Sequence, residues 1–155
     1  MGYHDLATGC QAVTTMPPGF YPTTNDGAAV DTRGASVAFF VVDCGTFSST
    51  RTYDVKIQMA TDAAFTTPVD ITGATFTQYT TSNDNRVDVG RVNLRDCLRY
   101  VRAKGTDGGS GDTNLSCTVL LGVDNTADGG AVSDAGGQTA PYAAAFNLQP
   151  NDDGS

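Results

Sequence analysis

The sequence has no glutamate and only two lysines, Lys56 and Lys104, among its 155 residues. Glutamate and lysine are good helix formers, whereas aspartate, which carries all of the acidity here, prefers helix caps and turns. Threonine, which favours strands, and glycine, which favours tight turns, are both abundant. These features disfavour long helices and predict an all-β chain.

Histidine is almost absent as well, since His4 is the only one. A nucleophilic site usually needs a base beside the nucleophile, and many zinc sites use two or more histidines. Paired aspartates can hydrolyse glycosides, but among 17 acidic residues chance pairs are expected and carry no specificity. We therefore expect a protein that is not an enzyme and has no catalytic residues.

The sequence also lacks a complete metal or redox motif. Asp124–Gly129 is similar to the start of a calcium loop, but the twelfth position is Ala135 where a bidentate glutamate is needed. A weak cation site among loop aspartates is the alternative to our prediction of no metal and no cofactor. The cysteines form no C-x-x-C pair, so we expect free buried thiols, with a disulfide formed outside the cell as the alternative. They are Cys10, Cys44, Cys97 and Cys117.

The net charge of −8 would repel a phosphate backbone, which predicts that the chain does not bind nucleic acid. Residues 1–6 show no basic region followed by an apolar run. We therefore expect no signal peptide, no membrane span and folding in a cytoplasm.

The residue pattern predicts an antiparallel β-sandwich, jelly-roll-like, with extended N- and C-terminal arms. Residues 1–29 form the predicted N-terminal arm, because Pro17, Pro18 and Pro22 exclude a helix. Residues 30–122 form the predicted sandwich, and residues 123–155 a Gly/Asp-rich loop and a C-terminal arm.

Three stretches inside the predicted sandwich carry the strand signal. Residues 35–42 are nearly all apolar, which predicts a strand covered on both faces, the second by an arm, a loop or another subunit. Residues 52–59 alternate apolar and polar, as a half-buried strand does. Apolar residues change phase at Gly90-Arg91, which predicts a β-bulge.

Aromatic and basic residues are the candidates for partner binding. The arm aromatics either cap the domain's own core or reach a neighbour. The basic residues between positions 86 and 104 either pair with aspartates on solvated strand faces or meet an acidic partner surface. The predicted partner-binding residues are Phe20, Tyr21, Arg99, Arg102, Tyr142 and Phe146.

Five segments follow one another in an order that resembles a known family. They are Val30-Asp31-Thr32-Arg33-Gly34, the apolar strand ending at Cys44-Gly45, Lys56-Ile57-Gln58, Thr61-Asp62-Ala63-Ala64-Phe65-Thr66 and Leu98-Arg99-Tyr100-Val101-Arg102. This series, within residues 28–122, is similar to head decoration (cement) proteins and related minor capsid proteins of tailed bacteriophages.

The resemblance implies a structural virion protein that binds the outer surface of a phage capsid and stabilises the shell. Its partner would be the major capsid protein, and assembly would take place in the host cytoplasm. We expect a homo-oligomer, preferably a trimer. An acidic protein suits an outer surface away from packaged DNA, and terminal arms suit contacts with neighbouring subunits.

Two other functions fit the same pattern. The strand Arg99-Tyr100-Val101-Arg102 is also similar to discoidin-like, carbohydrate-binding jelly rolls, although this chain has no Trp for a sugar platform. The alternatives are therefore a carbohydrate- or receptor-binding module of a virion fibre or tail, and a head–tail or neck component.

Overall fold

A computed structural model describes residues 10–48 and 50–122, and these residues contain strands but no helix. The all-β prediction is confirmed. The strands are β1 (Cys10–Phe20), β2 (Asn25–Asp26), β3 (Val30–Asp31), β4 (Val37–Phe47), β5 (Thr52–Ala60), β6 (Val69–Thr75), β7 (Arg86–Asn93), β8 (Tyr100–Gly108) and β9 (Thr113–Gly122).

The strands form two sheets with a nested order. Sheet A runs β1-β9-β4-β7, and sheet B runs β2-β8-β5-β6 with β3 also paired to β8. Every strand pairing is antiparallel. The first strand pairs with the last, β2 and β3 with β8, β4 with β7, and β5 with β6, which is the winding of a jelly roll. The predicted antiparallel sandwich is confirmed.

The core lies between the inner faces of the two sheets. On β5 the alternation predicted from the sequence buries Tyr53, Val55 and Ile57, each at most 1% exposed. Phe40 and Val42 of β4 face them from sheet A and are completely buried. Burial of such side chains contributes about 1.5–3 kcal/mol each, so this interior is the main source of stability.

Strand β4 has one face covered within the chain, and the predicted cover of its second face by another subunit stays a prediction. Its inward residues Phe40 and Val42 are buried, but Phe39 and Val41 on the outer side are only half-buried. No part of the described chain covers these two side chains completely. The near-continuous apolar run therefore reflects one face in the core and one apolar face that is half-buried within the described chain.

Strand β1 lies within residues 1–29, the predicted arm. It pairs along β9 from Cys10 to Phe20 and forms an edge of sheet A. The register shifts between Thr14 and Met16 and again between Met16 and Gly19, and the prolines fall within the second shift. An edge strand with bulges tolerates proline, because the missing N–H groups need no ladder partner there. Residues 1–9 and 123–155 lie outside the described residues.

The bulge predicted at Gly90-Arg91 is wrong. Strand β7 pairs with β4 in one continuous register from Arg86 to Asn93. The phase change has another cause: Val87 and Val89 point outward, while Val92 points into the core. The inward positions at the start of β7 hold Arg86 and Asp88 instead, whose side chains lie 2.9 Å apart as an ion pair.

The two sheets are joined by hydrogen bonds through Thr15, the extra residue at the first irregularity of β1. Its buried hydroxyl donates to the Ala28 carbonyl at 2.8 Å and accepts from the Ala103 amide at 3.2 Å. Gly27 beside it donates to the Ala103 carbonyl at 2.9 Å. A Cβ on Gly27 would lie only 2.4 Å from Thr15 Oγ1, so glycine is required where the chain crosses between sheets.

We predict that Thr15→Val lowers the free energy of unfolding by about 2–6 kcal/mol. The substitution keeps the shape but leaves the Ala28 carbonyl and the Ala103 amide without their partner, at about 1–3 kcal/mol each. Thr14→Val is the matched control, because Thr14 is exposed and its replacement should change stability by less than about 0.5 kcal/mol. Urea denaturation measures both; equal effects would contradict the role of the Thr15 hydroxyl.

Candidate interaction surface

Two outer surfaces could bind a partner: face A, formed by the outward side chains of sheet A, and face B, formed by those of sheet B. On face B the cross-strand pair Lys56 and Lys104 would repel each other if left alone. Asp70 accepts hydrogen bonds from Lys56 at 2.6 Å and from Gln58 at 2.7 Å. These bonds, first that of Lys56 and then that of Gln58, lower the pKa of Asp70.

Arg102, a predicted partner-binding residue, lies in the middle of face B and is only 9% exposed. Its guanidinium donates to Gln58 Oε1 at 2.9 and 3.2 Å and lies 3.3 Å from Asp26 Oδ2. The Phe65 ring covers it, with its centroid 4.3 Å from the guanidinium carbon. Phe65 adopts a positive φ of 52°, so the loop before β6 holds a strained conformation while it covers Arg102. Intramolecular contacts therefore surround Arg102.

Arg99, another predicted residue, is more exposed and lies at the edge of face B. It binds Asp31 of β3 with a closest N–O distance of 2.8 Å, and its guanidinium lies 4.9 Å from the centre of the Tyr100 ring. Arg33 also binds Asp31, at 3.0 Å. The hydrogen bond from Arg99 is the main reason why the pKa of Asp31 lies well below its usual range.

The basic residues between positions 86 and 104 do not form one stripe. Arg86 and Arg91 belong to β7 of sheet A, whereas Arg102 and Lys104 belong to β8 of sheet B. Most of them pair with aspartates, which was one of the two alternatives given for them from the sequence. Lys104 lies 3.4 Å from Asp26, which Arg102 also contacts.

The predicted aromatic anchors of the N-terminal segment separate into two roles. Phe20 ends β1 and is 49% exposed. Tyr21 packs against the core, with its ring centroid 6.4 Å from that of Tyr53, and its hydroxyl donates to the Pro17 carbonyl. Burial raises the pKa of Tyr21. Tyr142 and Phe146, the other two predicted anchors, lie outside the described residues.

Face A is apolar at its centre. The register aligns Leu120 of β9, Phe39 of β4 and Arg91 of β7 in one row. The next row holds Thr118, Val41 and Val89. Val87 and Val89 on the edge strand are 52% and 41% exposed. Phe39, Val41 and Leu120 beside them are half-buried, so face A combines exposed and partly exposed apolar side chains.

Arg86 and Asp88 on the inner side of β7 explain why its valines face outward. Arg86 lies 5.2 Å from the centre of the Tyr79 ring and pairs with Asp88. Tyr79 is completely buried, and that burial raises the pKa of its hydroxyl. Sequence reasoning missed Val87 and Val89 as surface residues, although their phase opposite to Val92 and Leu94 was a usable signal.

The described residues offer little reactive chemistry. Residues 10–48 and 50–122 contain no group of three or more His, Cys, Asp or Glu side chains placed to hold a metal ion. The four cysteines are free thiols; Cys44 and Cys117 are buried, as predicted, whereas Cys10 and Cys97 are only half-buried. Burial raises the pKa of both thiols to about 12, so they stay protonated and unreactive at neutral pH. No described segment forms a helix able to cross a membrane.

Comparisons with known proteins show a weak structural likeness to a viral protein. No family model matches the chain, and no curated protein matches it. Among solved structures, a chain in the structure of infectious bursal disease virus, Gx strain, is similar with 7% identity and a TM-score of 0.30. The match covers 77% of this chain and 32% of that chain, so this chain spans about a third of that protein's length. At this TM-score the likeness carries no inference.

The Asp31–Arg99 pair predicts a specific dependence of stability on pH. The folded-state pKa of Asp31 lies below the unfolded value of about 3.9, so its stabilisation is complete above that value and is lost as pH falls towards the folded pKa. Asp31→Asn should lower the urea midpoint at pH 7 by a small amount, because the pair is exposed, and the difference should shrink as the pH falls from about 4 towards 2.

Arg99→Gln removes the main cause of the lowered pKa of Asp31. In the Arg99→Gln background, Asp31→Asn should therefore change the urea midpoint less than it does in the unchanged protein. Circular dichroism at pH 2 to 7 follows both variants. A difference between Asp31→Asn and the unchanged protein that is as large at pH 2 as at pH 7 would contradict the assignment.

Proposed function

We propose that this chain is a structural virion protein that binds the outer surface of a phage capsid and stabilises the shell. The observation that carries the proposal is the contrast between the two outer faces. Face B is closed by its own ion pairs and hydrogen bonds, whereas face A leaves an apolar sheet surface open. A domain with such a surface acts through protein–protein contact.

The segments that resemble decoration proteins support the scaffold part of the proposal. Asp31 and Arg99 belong to two of these segments and bind each other. Phe65 and Arg102 belong to two others and are in contact as well. The resemblance therefore includes residues that hold sheet B together, and these indicate a fold more directly than a binding site.

Charge and fold are compatible with the outer surface of a shell. A net charge of −8 favours a position away from packaged DNA. Jelly rolls occur in viral capsids and also in lectins, so the fold alone does not choose between a shell protein and a sugar-binding module. In this proposal the chain stabilises the shell by mass action, because a protein that binds only the assembled lattice favours that lattice.

The residues proposed to meet the major capsid protein are the exposed aromatic Phe20 and the rim residue Arg99. Tyr142 and Phe146 remain candidates in the C-terminal segment. Tyr21 and Arg102 make intramolecular contacts, so their proposed role is to position Phe20 and the β8 surface rather than to touch the shell. No metal or cofactor takes part.

Co-sedimentation with capsids assembled without this protein tests the function. We expect saturable binding at a fixed ratio to the major capsid protein and a higher temperature of capsid disruption. Phe20→Ser should weaken binding at least 10-fold, whereas Val69→Ser, which changes an exposed valine of sheet B, should not. Retention on a glycan array without capsid binding would favour the carbohydrate-binding alternative and refute the proposal.

Deletion of residues 1–9 tests the contribution of the N-terminal arm. The deletion must stop there, because β1 begins at Cys10 and Met16 of β1 is fully buried in the core. Loss of capsid binding by a protein that keeps its urea midpoint would support an arm contact. Unchanged capsid binding would exclude it.

A further inference from the structure

The outer side of sheet A presents side chains from four neighbouring strands, and its described outward positions hold fewer charged residues than face B. We infer that face A is the surface through which two copies of this chain associate, packed face to face about a two-fold axis. This inference goes beyond the virion role and does not require a capsid.

The centre of face A has the composition of an interface core. Phe39 and Val41 of β4 lie beside Val89 and Val87 of β7, and Leu120 lies beside Phe39 on β9. Thr118 and Ser116 continue the surface with small, uncharged side chains. The described outward positions of β4, β7 and β9 hold only two charged residues, Arg91 and Asp43. Interface centres are depleted of charge in the same way.

The two charges lie at opposite corners of the valine pair. Arg91 pairs with Phe39 in the row on one side of Val41 and Val89, and Asp43 pairs with Val87 in the row on the other side. A two-fold axis that runs across the strands through Val41 and Val89 exchanges these two rows. It therefore brings Arg91 of one copy towards Asp43 of the other, twice, while the valines pack on their counterparts.

Two-fold symmetry follows because both copies use the same surface, face A. A face that packs on the same face of another copy makes an isologous contact, which belongs to a two-fold axis. Three-fold symmetry, the expectation from the sequence, would pair two different surfaces. Because Arg91 and Asp43 are both on face A, the two-fold arrangement places opposite charges near each other across the contact with a single surface.

The size of face A is sufficient for a weak specific interface. Four strands about 4.8 Å apart, each with about four outward positions about 6.8 Å apart, cover about 500 Å². Two copies would then bury about 1,000 Å², which is the lower limit for a specific contact. We therefore expect a dimer that forms at micromolar rather than nanomolar concentration.

A second copy also fits the charge better than a strongly charged partner does. Arg91 and Asp43 make face A neutral within a chain of net charge −8. A basic partner would be attracted to acidic surface elsewhere and would gain nothing at this face. A surface complementary to face A has an apolar centre and one charge of each sign. Face A of a second copy is such a surface.

Sedimentation equilibrium of the full chain tests the inference without capsids. We expect a concentration-dependent monomer–dimer equilibrium. Val89→Asp should raise the dimer dissociation constant at least 10-fold, because it places a carboxylate at the centre of the contact. Val69→Asp is the matched control, since Val69 is 42% exposed and Val89 41% exposed, both on edge strands. Urea denaturation checks that both variants are folded.

A charge exchange tests the geometry of the contact. Asp43→Arg and Arg91→Asp should each weaken self-association, because like charges then meet at both corners. Mixed together, the two variants should form a heterodimer, because both opposite-charge contacts are restored. Failure of the folded mixture to associate would refute the two-fold arrangement.

A monomer at all concentrations, a trimer, or a dimer unaffected by Val89→Asp would overturn the inference. If the monomer binds capsids and Val89→Asp abolishes that binding, face A docks on the shell instead. If the chain dimerises but ignores capsids, the self-association stands and the proposed function fails.

Discussion

The buried hydroxyl of Thr15 connects the two sheets where the chain passes from one to the other. Through it, β1 of sheet A is hydrogen-bonded to Ala28 and to Ala103 of β8 in sheet B. These bonds fix which sides of the sheets face each other, and the core forms between those sides. These bonds also decide which side chains form the outer faces, because a shift of one residue in the pairing would exchange inner and outer side chains on a strand.

The two outer faces satisfy their side chains in different ways. Face B places lysine and arginine among aspartates and glutamine, and the Phe65 ring covers Arg102. Face A has valine, leucine and phenylalanine at its centre and little charge. On β7 the usual pattern is reversed at one end, with the Arg86–Asp88 pair inside and Val87 outside. That reversal makes face A apolar as far as the edge of the sheet.

Sequence patterns predicted the strands in which apolar side chains face the core and polar side chains face outward. The alternation of residues 52–59 is strand β5, and the apolar run at 35–42 lies mostly within β4. The pattern did not predict β1, because Pro17 and Pro18 argue against a strand unless the bulges of an edge strand accommodate them. It also misread β7, since an inward ion pair and outward valines look like a bulge when the partner strand is unknown.

Candidate binding residues were harder to predict than strands, because their roles depend on long-range contacts. Arg102 and Gln58 are 44 positions apart in sequence and meet only through the pairing of β5 with β8. Arg51, which played no part in the sequence analysis, is buried 2.8 Å from Asp107. Phe20, predicted as an aromatic of the arm, ends β1 and is 49% exposed, and its role in partner binding stays a prediction.

Methyl NMR of the full chain over a range of concentrations tests the central claim, that two copies of the chain associate through face A. The account predicts that the methyl signals of Val41, Val87, Val89 and Leu120 shift together with concentration along one binding curve. Val69 on sheet B should keep its position. Signals of face A that do not change with concentration, or shifts centred on sheet B, would contradict the account.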